Sequence, residues 1–237
     1  MEIIKKNKDD MVFKTEINEN LANAIRRHVN KIPVLGIDEV EIIKNGSALY
    51  DEVVAHRLGL IPLKSEKINE KTTGELKLVS KQEGMVKSGE LQGNVKVIYD
   101  EIPITFLDKG QELELRAIVK AGKGQEHVKF SPGLIFYRKP LEIIMDKECL
   151  EEVKKICPDV EIKEKDNKII IQDEGEEEIG DVCEGICNKT KKKVEIKEKP
   201  GLIMTVESFG QMPVEEIVNK SVEALKKDLT EISKKIK

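Results

Sequence analysis

The residues of this 237-residue chain that could carry chemistry are four cysteines, three histidines and a dense population of carboxylates. Cys149, Cys157, Cys183 and Cys187 include the spacings C-x7-C and C-x3-C, which are not the usual ones of structural zinc sites. In a reducing compartment such thiols are free or ligate metal more readily than they pair as disulfides. His28, His56 and His127 are widely separated and read as structural or interface residues. Glu39, Glu41 and Glu52 could pair as carboxylates, but 36% of the chain is charged and such pairs arise by chance. There is no P-loop, no GxSxG, no HExxH and no aspartate triplet of the DxDxD kind that a magnesium-dependent polymerase centre needs. The residues therefore point to a chain without an active site of its own.

The composition narrows the partners. Hydrophobic residues make up 39% of the chain, enough for a core, while the formal net charge is only −4. A sequence-independent DNA binder is usually clearly basic. Tryptophan is absent and aromatics reach 3%, too few for a base-stacking platform. The N-terminal MEIIKKNKDDMVF lacks a signal-peptide core, and no apolar run approaches the length of a membrane span. A soluble, cytoplasmic protein is expected.

The elements that must position these residues can be read in order. Residues 2–17 alternate as two short strands with a turn near Asn7–Asp10. A helix follows, capped by Asn18 or Asn20, with Leu21, Ala24, Ile25, His28 and Val29 at helical spacing and Pro33 as its downstream bound. VLGIDEVEII reads as a strand, and Asp51–Gly59 as a short helix before an apolar exit at Pro62. Between 75 and 137, ELKLV, NVKVIY, PITFL, ELELRAIV and HVKF are strand candidates separated by Gly and Pro, the pattern of a small β-rich domain. Between 140 and 199, LEIIM, VEIKEK, KIIIQD and KVEIKEK alternate with helical stretches at 147–156 and 176–187. That order resembles two β-α-β units in a ferredoxin-like arrangement. The opposite charge runs Asp173–Glu178 and Lys189–Lys193 read as solvated loops and helix ends.

The tail carries the clearest local signal. After Pro213, Val218, Val222, Leu225, Leu229, Ile232 and Ile236 recur at spacings of four, three, four, three and four on an otherwise charged helix. A helix from Pro213 to Ile236 is roughly 36 Å long. Its narrow apolar seam can pack on its own domain or on a partner, and periodicity leaves both open.

Residues 20–63, NLANAIRRHVNKIPVLGIDEVEIIKNGSALYDEVVAHRLGLIPL, resemble the alpha motif of RNA polymerase assembly subunits. The AHRLGLIPL version is more similar to the archaeal D-type subunits and their eukaryotic counterparts than to bacterial alpha. GKGQEHVKFSPG and VESFGQMPVEEIVNKSVEALKKDL extend the match to essentially the whole chain. The resemblance implies an α+β fold: a split alpha-like dimerisation domain (1–42 plus 200–237), an inserted β-rich domain (43–139) and a ferredoxin-like β-α-β domain (140–199). It implies a non-catalytic scaffold that heterodimerises with a smaller, L-type subunit. The pair then binds the small zinc-binding subunits N and P and the two large catalytic subunits, and meets DNA only through the holoenzyme. On this reading Leu21, Asn23, Ile25, Arg26, Arg27, Val218, Val222, Leu225, Leu229 and Ile232 serve assembly, and His56 and Arg57 meet a large subunit. Arg26 and Arg27 point about 100° apart on a helix and should not share one role. An alternative reading is a free-standing ferredoxin-like iron–sulfur redox protein.

The same resemblance raises an iron–sulfur cluster, whose run C-x2-C-x2-C-x3-C-P this chain departs from. Cys157–Pro158 matches the end of a first copy, but its earlier positions hold Lys147, Leu150 and Val153, with Cys149 out of register. Cys183 and Cys187 match the last two positions of a second copy. Its first two hold Glu177 and Gly180, and Asn188 follows instead of proline. No cofactor is the leading expectation. A nonstandard iron–sulfur cluster or metal on Cys157, Cys183 and Cys187, with or without Cys149, and a disulfide pairing stay open beside it.

Overall fold

The computed structural model describes residues 1–236 except 66, 67, 70, 159 and 177. Strands β1 (Glu2–Lys6) and β2 (Asp10–Thr15) form an antiparallel hairpin, closed by a bond from the Asn7 amide to the Asp10 carbonyl at 2.8 Å. Helix α1 (Glu19–His28) begins where the Asn18 side chain accepts from the Leu21 amide at 2.8 Å, and a 3-10 turn carries the chain on to Lys31. There follow β3 (Pro33–Asn45), α2 (Asp51–Gly59), β4 (Thr73–Ser80), β5 (Gly84–Lys87), β6 (Gln92–Gly93), β7 (Pro103–Leu107), β8 (Leu113–Lys123) and β9 (Gly133–Arg138). The last third holds β10 (Leu141–Asp146), α3 (Leu150–Ile156), β11 (Ile162–Lys165), β12 (Lys168–Asp173), α4 (Gly180–Thr190), β13 (Glu195–Glu198), β14 (Leu202–Ser208) and α5 (Val214–Ile236).

The chain forms two compact units, Met1–Asn23 with Ile135–Val206, and Ala24–Leu134 with Glu207–Lys237. In the first, β10 to β13 make a β-α-β-β-α-β unit whose antiparallel sheet runs β11-β12-β10-β13. Ile143, Met145, Ile169 and Ile171 pack with Val153, Cys183, Ile186 and Cys187 from the two helices and with Cys149 from the 3-10 turn that precedes α3. The β11–β12 turn uses Asp166 and Asn167, both at positive φ (51° and 60°), which suits a tight hairpin. The acidic run after β12 is held rather than merely solvated. Asp173 is buried and accepts from Arg138 at 2.8 Å and from the Ile179 amide at 3.1 Å, while Glu174 pairs with Lys14 and Lys199.

In the second unit, an antiparallel sheet runs β3-β8-β4-β6. Its core is built from Leu35, Ile37, Leu76, Leu78, Leu115 and Ala117, with Val54 and Leu58 of α2 against them. Two expected strands are corrected here. HVKF folds as a 3-10 turn at Val128–Phe130, because the His127 ring accepts from the Lys129 amide at 3.1 Å and turns the chain. The turn drops Phe130 onto Gly36 and Gly122, where an added Cβ would stand 2.8 and 2.6 Å from the ring. NVKVIY forms no named strand; it makes a single bridge from Val97 to Leu63. Conversely β5, β6 and β9 lie outside the expected strands, the first two being only four and two residues long.

Candidate assembly interface

Helix α5 carries two apolar stripes side by side. The first comprises Val214, Ile217, Ser221, Ala224 and Asp228, at spacings of three, four, three and four. Val214, Ile217 and Ser221 are buried, and the other two are half-buried. The second is the seam expected from periodicity, rotated by roughly one residue, or about 100°, from the first. Its upper residues Val218, Val222 and Leu225 are half-buried, while Leu229 and Ile232 are 57% and 55% exposed and Ile236 is more so. From Leu229 to Ile236 every residue of α5 is exposed.

The first stripe is pinned to the end of α1. The Ser221 hydroxyl donates to the Ile25 carbonyl. Farther along α5, Asp228 takes the Lys31 ammonium and, at 3.1 Å, His28 Nε2. The other ring nitrogen of His28 lies 2.7 Å from the Ala24 carbonyl. Lys31 first, and His28 after it, hold the Asp228 carboxyl below its usual range. Sequence reasoning misses Asp228 and Ser221 because they are polar members of a buried stripe. Their three-four spacing with Val214, Ile217 and Ala224 is the signal that could have found them.

The remaining expected residues fall in different settings. On α1, Ile25 is 9% exposed and Ala22 is buried; Leu21 is 42% exposed, Asn23 half-buried, and Arg26 and Arg27 exposed. On α2, His56 is exposed, and Arg57 donates to the Ile104 carbonyl at 2.9 Å, tying the helix to β7. Tyr50, Val53 and Leu60 stand exposed around the same helix.

The cysteines belong to the core of the β10–β13 unit. Cys149, Cys183 and Cys187 are buried and Cys157 is half-buried, all as free thiols. Burial, and then neighbouring thiols, push Cys183 up to about 12 and Cys187 up to about 11. The Cys149 sulfur lies 3.6 Å from the Thr190 hydroxyl. Among the described residues no three His, Cys, Asp or Glu side chains are grouped so as to hold a metal ion. Position 177, the first ligand position of the second cysteine copy, lies outside the described residues.

No described helix is long and apolar enough to cross a membrane. Residues 40–136 match the family model of the RNA polymerase Rpb3/RpoA insert domain. The chain is similar to DNA-directed RNA polymerase subunit Rpo3 of Thermococcus kodakarensis, with 32% identity over 94% of this chain and 92% of the relative. Subunit Rpo3 of Pyrococcus furiosus is 31% identical over 95% of this chain and 92% of its own length. DNA-directed RNA polymerase II subunit rpb3 of Dictyostelium discoideum is 31% identical over 98% and 93%. These near full-length similarities carry the designation subunit 3, and the chain belongs to the Rpo3 family of DNA-directed RNA polymerase subunits.

Proposed function

We propose that the chain is a non-catalytic scaffold of its polymerase, equivalent to the archaeal D-type subunits, and pairs with an L-type subunit through α5 before the small zinc-binding subunits N and P and the large subunits join. The observation that carries this reading is the doubled stripe of α5. One stripe is spent inside the unit, and the other leaves Leu229, Ile232 and Ile236 exposed on two uncovered turns. An apolar seam of coiled-coil spacing left in water is a natural pairing surface. Co-expression with an L-type subunit tests it. A stable one-to-one complex is expected; a well-behaved monomer that ignores that subunit overturns it.

In the same reading residues 140–199 form a ferredoxin-like domain that folds without an iron–sulfur cluster. The β-α-β-β-α-β order and the sheet order β11-β12-β10-β13 support the first part. The incomplete cysteine runs, with Lys147, Leu150 and Val153 in one and Glu177 and Gly180 in the other at ligand positions, support the second. They also weigh against a free-standing redox protein. Anaerobically purified protein should be iron-free and show no absorbance band near ~400 nm, the region where iron–sulfur clusters absorb; a coloured, iron-loaded sample would end this part of the reading.

A further inference from the structure

The charges that border the uncovered seam point to the chemistry of what covers it. Viewed down α5, the buried stripe lies on one side of the seam, so a partner approaches from the other. On that open side the bordering residues are Asn219, Lys226 and Ser233, with Glu215, which has an interaction of its own, standing before the first seam residue Val218. On the near side the border is closed by Ser221 and Asp228 until the helix leaves its own unit; past that point it is Lys235.

The acids and bases of this helix are not equally available. Asp228 is paired with Lys31 and meets His28 Nε2, and Glu216 is paired with Lys220 at 2.7 Å. Among the described residues Lys226, Lys227, Lys234 and Lys235 have no acidic partner, and neither Glu223 nor Glu231 has a basic one. At about 100° per residue, Glu223 and Glu231 fall well away from the seam, as do Lys227 and Lys234. Among the described residues, the two charges without an ion-pair partner that border the seam along its length, Lys226 and Lys235, are both positive.

Resting on the pairing reading above, we infer that the occupant of the seam is an amphipathic helix of the partner subunit whose own apolar stripe is bordered by carboxylates. Two of these meet Lys226 and Lys235. The lysines are nine residues apart, so the carboxylates stand roughly 13.5 Å apart along the helix. Border charges of this kind choose the partner and its register, while the apolar seam supplies most of the affinity. A partner with lysines at those positions would meet like charge, and a basic or uncharged border would leave the helix no reason to prefer one register.

The test measures the dissociation constant of the complete chain with its co-expressed L-type subunit at low and high ionic strength. Wild-type pairing should weaken as salt rises. Lys226→Glu with Lys235→Glu should weaken low-salt pairing by about 10-fold or more and abolish or reverse the salt dependence. Lys227→Glu with Lys234→Glu changes the net charge equally but faces away, and should leave both unchanged. All four positions are exposed, and circular dichroism confirms that each variant is folded. If the two double variants behave alike, or if neither salt nor Lys226 and Lys235 matters while the complex forms, the inference is wrong and the pairing reading stands. If wild-type chains form no complex at all, it is the pairing reading that fails.

Discussion

His28 Nε2 and the Asp228 carboxylate are 3.1 Å apart in the fold and 200 residues apart in the sequence. The second ring nitrogen meets the Ala24 carbonyl at 2.7 Å. The ring thus bridges a backbone carbonyl and a carboxylate, two groups that only accept. With Lys31 on the same carboxylate, this is, among the described residues, the last tie between α5 and the rest of its unit before the exposed turns begin.

Removing the tie should loosen the end of α5 without disturbing the β3-β8-β4-β6 sheet. Asp228→Ala is expected to speed amide exchange across residues 224–236 of the unpaired chain, while the amides of β3 and β8 keep their protection. Unchanged exchange in that half of α5 would show that the tie holds nothing.

The two stripes of α5 should separate stability from pairing. Ile217 is fully buried, so Ile217→Ala is expected to destabilise the fold by about 2–5 kcal/mol. Leu229 and Ile232 are more than half exposed, so Leu229→Asp with Ile232→Asp should leave the melting temperature of the unpaired chain nearly unchanged. The same pair of changes should abolish the complex with the L-type subunit on size-exclusion chromatography. A fall in melting temperature as large as that of Ile217→Ala would mean that the seam is spent internally.

Phe130 should be intolerant of any side chain beneath it. Gly36 and Gly122 are the floor on which its ring lies, closer than a Cβ allows. Gly36→Ala and Gly122→Ala are each expected to cost about 1–3 kcal/mol through overpacking. Phe130→Ala should cost about 3–5 kcal/mol through the cavity it leaves. Urea unfolding of the three variants checks this. Wild-type stability in both glycine variants would show that the ring can step aside.

The buried thiols predict an alkaline limb. The ordinary thiol value of 9.0 holds in the unfolded chain, whereas Cys183 in the fold is pushed up to about 12. Between those values the unfolded chain gives up the proton and the fold keeps it. Stability therefore declines as pH rises above about 9, and the decline ends near 12. Cys183→Ala should flatten that limb in urea titrations taken at a series of alkaline pH values. An equally steep limb in the variant would mean that other groups produce it.

Much of this organisation is legible in the residues, and the exceptions have physical reasons. The Asn18 cap, the Asp51–Gly59 helix and the four strands between 141 and 198 follow from capping and alternation, which are local. HVKF alternates like a strand, yet it turns because a histidine side chain competes for a backbone amide and a ring seeks a glycine floor. Strands as short as β6 have too few residues to show a period. For α5, periodicity finds an apolar seam but cannot tell that a neighbouring stripe, with a serine and an aspartate in it, is the one that is buried. That decision rests with His28, Lys31 and the Ile25 carbonyl, far away in the chain.

The bonds from residues 25–31 to residues 221–228 also set an order in time. During synthesis the helix that will support α5 emerges early and waits for most of the chain to follow. The β3-β8-β4-β6 sheet, complete by Lys123, can fold meanwhile from comparatively local contacts. The pairing seam acquires its backing only when Ser221 and Asp228 have left the ribosome. If α5 recruits a partner as proposed, recruitment waits until residue 228 has emerged, and a chain interrupted before that point withholds the surface on which assembly would begin.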